Sequence, residues 1–233
     1  MPVTKLSRQG EIRWSRLAAE FLLIVAGVTV ALGADSLWSL RQDHARESEY
    51  LEQLRADLAE NRTRLDAAIL DEETLGAAAL AALEALTTGS PITADSARAW
   101  LVERRGFMYS DPRLLTGTFS GLIESGDLRL IRDSDMRKSI IAYVPQITAD
   151  RAEFDRWVGE LIKGFRAYRP VALSLPEYYT AVGETGVHAL SAVPVHPLMR
   201  PALDVAVWTN QLRLIYLRRM LAATEQTSAL LES

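Results

Sequence analysis

The longest stretch of the chain without a regular alternation of apolar and polar positions lies near the N-terminus. Between Leu17 and Ala34 the only ionisable residue is Glu20. A helix of this length spans roughly 27 Å, which is close to the hydrocarbon thickness of a bilayer. A core helix of a soluble domain would carry a polar face, whereas the middle of this stretch has only Thr29. We therefore predict a transmembrane helix over residues 17–40, in contact with the membrane lipid bilayer.

Aromatic and basic residues stand at both ends of the predicted membrane helix. Trp14 and Arg16 precede it, and Trp38 and Arg41 lie at its far end. Such side chains favour the headgroup region, so we predict that these four residues are interface anchors. A cleavable signal peptide is the main alternative, because a basic tail precedes the apolar stretch and Ala31-Leu32-Gly33 is an acceptable cleavage site.

One side of the predicted membrane helix differs from the others. Its residues are Glu20, Gly27, Ala31, Ala34 and Asp35. Small residues four apart let another helix approach closely, and an acid inside the membrane is a functional position by default. We therefore predict a membrane-protein partner or self-association through this side. In the competing interpretation, Glu20 lies near the headgroups and pairs with the arginine four residues before it.

Basic residues are distributed unevenly around the predicted membrane helix. Residues 1–16 carry four basic residues and one acidic residue, whereas residues 41–74 carry five basic and ten acidic residues. An excess of basic residues favours the cytoplasmic side. We predict a bacterial inner-membrane protein with a cytoplasmic tail (residues 1–16), a membrane helix (17–40) and a periplasmic helical domain (41–233).

Beyond the membrane helix, apolar residues recur at heptad spacing through residues 41–86, which predicts a long amphipathic helix. Two arrangements fit this pattern: a coiled-coil stalk that continues the membrane helix, or a hairpin within one helical bundle, turning near Asp71–Gly76. We favour the bundle, because the seam is poor in Ile and Val. The seam consists of Leu51, Leu54, Leu58, Leu65, Ala68, Leu75, Ala79, Ala82 and Leu86, with Asn61 at one of its positions.

The remaining chain also reads as helix and loop. We predict a helix that Pro145 limits or kinks, a separate helix over residues 150–168 and a final helix over residues 202–231. The Pro-rich residues 170–201 are predicted to be mostly loop. The predicted fold class is all-α, with an N-terminal transmembrane helix continuing into a soluble helical bundle.

Residues 118–144 predict a compact helix–turn–helix core. Thr116 or Thr118 begins a short helix, Gly126 ends it in a left-handed conformation, and Asp133 caps the next helix. The apolar residues between and after these caps are predicted to be buried. They are Phe119, Leu122, Ile123, Leu128, Leu130, Ile131, Ile140, Ile141 and Tyr143.

Two blocks of the sequence resemble a known group of proteins. The first is "EFLLIVAGVTVALGADSLWSLRQDHARESEYLEQLRADL", and the second is "TFSGLIESGDLRLIRDSDMRKSIIAYV". Together they resemble a family of uncharacterised bacterial proteins, in which an N-terminal membrane helix opens with an acid and is followed by a charged helix and a helical domain. The resemblance implies an architecture, a single-pass inner-membrane protein, and brings no established activity with it.

Composition narrows the possible functions. A net charge of −4 without a long basic run argues against nucleic-acid binding, and the absence of cysteine removes disulfides and thiol chemistry. The sequence contains neither a phosphate-binding loop nor a dinucleotide fingerprint. The adjacent carboxylates Glu72 and Glu73 are predicted to be solvated on a helix surface. We predict no cofactor, no metal and no catalytic residue.

These observations favour a non-enzymatic accessory or scaffolding subunit of a membrane assembly, acting through helix–helix contacts. One alternative is a membrane-tethered ligand-binding or sensor module, with a ligand near Tyr178, Tyr179 and His188. A second alternative is a hydrolase or metal enzyme of unrecognised type. His188 and His196 are its candidate residues, although they lack the close helical spacing of a metal pair.

Overall fold

A computed structural model describes residues 14–89, 109–173 and 200–232 of the chain. Within them, only the backbone is described for residues 14–19, 36, 165 and 167–173. The described chain is helical and contains no strand, which confirms the predicted all-α class for these residues. The chain divides into two compact units, Met1–Glu49 and Tyr50–Ser233.

Four α-helices and one short 3₁₀ helix form the described structure. Helix α1 is Trp14–Thr88, and it supplies the helical part of the first unit and the first helix of the second. Helix α2 is Gly117–Glu124, and the 3₁₀ helix Asp127–Leu130 follows it. Helix α3 is Ser134–Leu173, and helix α4 is Arg200–Glu232.

The second unit is a bundle of three long helices. Arg55 donates to the carbonyl oxygen of Leu231 at 3.0 Å, and Arg218 pairs with Glu73 at 2.8 Å, so α1 and α4 are antiparallel. Helices α3 and α4 are also antiparallel, with Ser139 bonded to Thr227 and Asp150 paired with Arg219. The core combines the predicted seam of α1 with the inner faces of α3 and α4 and with apolar residues of α2 and of the turn that follows the 3₁₀ helix. Its members include Leu54, Leu58, Leu65, Ala68, Phe119, Ile131, Ile140, Tyr143, Phe154, Leu217 and Met220.

Two predicted interruptions are wrong. Helix α1 does not turn near Asp71–Gly76 but runs on to Thr88. Its inward face remains buried there by contacts with α4, so the helix needs no hairpin to cover its seam. Helix α3 likewise continues through Pro145. Residues 150–168, which were predicted to form a separate helix, are therefore part of α3. Pro145 and Ile141 are both exposed, so water can solvate the carbonyl that the proline leaves without its helical partner.

The helix–turn–helix core has the predicted caps. Helix α2 starts after Thr116, Gly126 has a φ of 76° in the left-handed region, and Asp133 precedes α3. The Asp133 carboxylate accepts the backbone N–H groups of residues 135 and 136 at 2.8 and 2.7 Å. Phe119 stacks on Tyr143 with ring centroids 4.4 Å apart.

Burial in this core follows the prediction at most positions. Leu122 and Leu130 are buried as predicted, together with Ile131 and Ile140. Ile123 and Ile141 are corrections, because their side chains are 38% and 48% exposed. Both lie on the outer sides of their helices, where the helical period carries them away from the buried neighbours that precede them by one residue.

Candidate functional site

The first unit presents a long apolar surface to solvent. Every described side chain from Glu20 to Arg41 is exposed. One helix of the described chain, α1, is long and apolar enough to cross a membrane, and none of its apolar window is buried. Its length and composition are the only grounds for calling it a possible membrane helix, and a signal sequence near an N-terminus has the same length and composition.

The five residues of the predicted contact face lie on one side of this helix. Because the backbone is helical throughout, Glu20, Gly27, Ala31, Ala34 and Asp35 share one side of α1. All five are exposed, and a Cβ atom at Gly27 would meet nothing within 4 Å. This surface therefore has room for a closely packed second helix.

The predicted interface residues lie at the ends of the apolar segment. Trp14 is the first residue of α1, and the side chains of Trp14 and Arg16 fall outside the described atoms. Trp38 is 71% exposed, and Arg41 is exposed as well. Within the segment, the Thr29 hydroxyl donates to the carbonyl oxygen of Val25 at 2.8 Å, which satisfies that hydroxyl inside its own helix.

A buried ion pair lies between α1 and α4 in the second unit, and it corrects the prediction that Glu72 is solvated. Glu72 is 0% exposed and Arg213 is 2% exposed, with 2.9 Å between Oε2 and Nη2. Asn210 donates its side-chain amide to the Glu72 carboxylate and to the Glu72 backbone carbonyl, both at 2.7 Å. Arg213 also contacts the Glu72 carboxylate through Nε at 3.3 Å and donates from Nη1 to the Thr209 hydroxyl at 3.0 Å. Only Glu73 is at the surface, where it pairs with Arg218.

Close approach of the two helices accompanies this ion pair. A Cβ atom at Gly76 would overlap the side-chain amide oxygen of Asn210. The absence of a side chain at Gly76 therefore lets Asn210 reach across to α1. Each polar group in the cluster has a partner, so both buried charges are compensated within the contact between α1 and α4.

A second buried polar cluster joins all three long helices. Asn61 is 0% exposed and donates to the Tyr143 hydroxyl at 3.0 Å, and that hydroxyl lies 3.1 Å from the hydroxyl of Thr224. Burial raises the pKa of Tyr143 above its ordinary value, and its two hydrogen bonds oppose this shift only in part. Asn61, which the heptad pattern placed in the seam, is therefore a buried polar contact between helices.

The clusters are closed to a substrate. The Glu72 and Asn61 side chains are fully buried and bonded to protein groups, so they offer no free nucleophile or base. Among the described residues, no group of three or more His, Asp or Glu side chains could hold a metal ion. His188, His196, Tyr178 and Tyr179, on which the alternative functions depend, lie outside the described residues.

A surface cavity of about 570 Å³ lies between α3 and α4. It is open and has mixed polarity, and its charged groups are already paired: Lys138 with Asp135 at 2.8 Å and Arg219 with Asp150 at 3.0 Å. The Lys138 ammonium lowers the pKa of the Asp135 carboxyl, which is consistent with a stable surface ion pair. The cavity therefore has no concentration of unpaired charge that would select a ligand.

Comparison with known proteins adds no identification. No protein family matches the chain, and no curated protein and no solved structure is detectably similar to it.

Proposed function

We propose that this chain is a non-enzymatic, single-pass membrane protein that serves as an accessory or scaffolding subunit of a membrane assembly. The observation that carries the proposal is the exposed apolar segment of α1, in which Thr29 is the only polar residue between Glu20 and Asp35. An isolated apolar helix of this length is stable in a bilayer, where its backbone is internally bonded and its side chains contact lipid.

The orientation in this proposal follows the charge pattern. Residues 1–16 are cytoplasmic, residues 17–40 cross a bacterial inner membrane, and residues 41–233 are periplasmic. The sequence blocks that resemble a family of single-pass inner-membrane proteins imply the same arrangement.

The side of α1 that carries Glu20, Gly27 and Ala31 is the proposed contact with a partner membrane helix or a second copy of this chain. Its small residues allow close backbone packing, and the acid is stabilised if a partner supplies a polar group. The described residues of the second unit form a hydrophobic core of their own, so this unit can be displayed from the membrane as a folded domain.

Paired glycine substitutions test the contact. Gly27 lies on the proposed side of α1, Gly33 lies about 120° away around the helix and outside that side, and each has open space around it. We expect Gly27→Leu to abolish co-purification of the partner, or of a differently tagged copy of the chain, from mild detergent, while Gly33→Leu preserves it. Equal capture by both variants would contradict a contact through the proposed side.

A further inference from the structure

We draw no further inference here: the strongest candidate, the outer groove between α3 and α4 that carries the open cavity lined by Ala142 and Ala222 and, further along, the exposed ring of Trp208 against Trp157, is a face for which nothing in the described part of the chain shows what covers it.

Discussion

At the scale of single residues, the Glu72–Arg213 pair is the most demanding interaction of the second unit, because both charges are removed from water. The two charges are compensated because the carboxylate, the guanidinium and the neighbouring Asn210 amide are all hydrogen-bonded. Removing one partner leaves the other charge buried and uncompensated, which costs about 3–5 kcal/mol in proteins.

Glu72→Gln should therefore lower the free energy of unfolding by an amount in that range, measured by urea denaturation. The adjacent Glu73→Gln is the control, because its pair with Arg218 is about half exposed and pairs of that kind contribute less than about 1 kcal/mol. Similar losses for the two variants would show that the Glu72 carboxylate is not buried as described.

The buried Tyr143 hydroxyl makes stability depend on alkaline pH. Its pKa is raised above the ordinary value of 10.0 by burial. Above that value the unfolded chain has lost the phenolic proton while the folded chain retains it, so the folded state binds more protons and stability falls as pH rises. The stability that the buried phenol contributes is fully present below pH 10. It is lost as the pH rises from that value through the higher pKa of Tyr143 in the folded state.

Tyr143→Phe removes this titration. We expect the variant to be less stable than the wild type at pH 7, because the bonds to Asn61 and Thr224 are lost, and the gap to narrow as the pH rises above about 10. Thermal unfolding between pH 8 and 11 measures the gap. A difference that stays constant over this range would contradict a buried, neutral phenol.

At the scale of elements, α1 and α4 pack closely because Gly76 offers no side chain. In an exposed helix, Gly→Ala stabilises by up to about 1 kcal/mol. At Gly76 the added methyl would meet Asn210, so we expect a loss of about 1–3 kcal/mol instead. Gly159→Ala in α3, where nothing lies within 4 Å of the new carbon, should be neutral or stabilising in the same melting experiment. The same sign for both variants would refute the close contact.

Local signals in the sequence predicted most of these elements. The apolar seam of α1, the left-handed Gly126 and the Asp133 cap depend on neighbours a few residues away, and all three are confirmed. The burial of Glu72 depends on Arg213, 141 residues later, and no local pattern reveals that partner. A weaker signal existed in α4. Asn210 and Arg213 lie on the buried side of that helix, where most positions are apolar, just as Asn61 lies in the apolar seam of α1.

The segment Tyr109–Thr116, which leads into α2, illustrates the same limit. The dipeptide Asp111-Pro112 disfavours helix, and the backbone of residues 109–116 is not helical. The side chains that hold it come from α1 and α3, which are distant in sequence, so its attachment could not be read from the segment itself. The predicted turn in α1 failed for a related reason, because α4 covers the seam that a hairpin would otherwise have to bury.

For the molecule as a whole, we propose that the apolar segment of α1 is retained as a membrane anchor. The most direct measurement is the intact mass of a C-terminally tagged chain, recovered from fractionated bacterial cells. A retained anchor predicts a mass of 25.8 kDa plus the tag, in membranes that release the protein only with detergent. A product about 33 residues shorter in the soluble periplasmic fraction would identify a cleaved signal peptide and contradict the anchor.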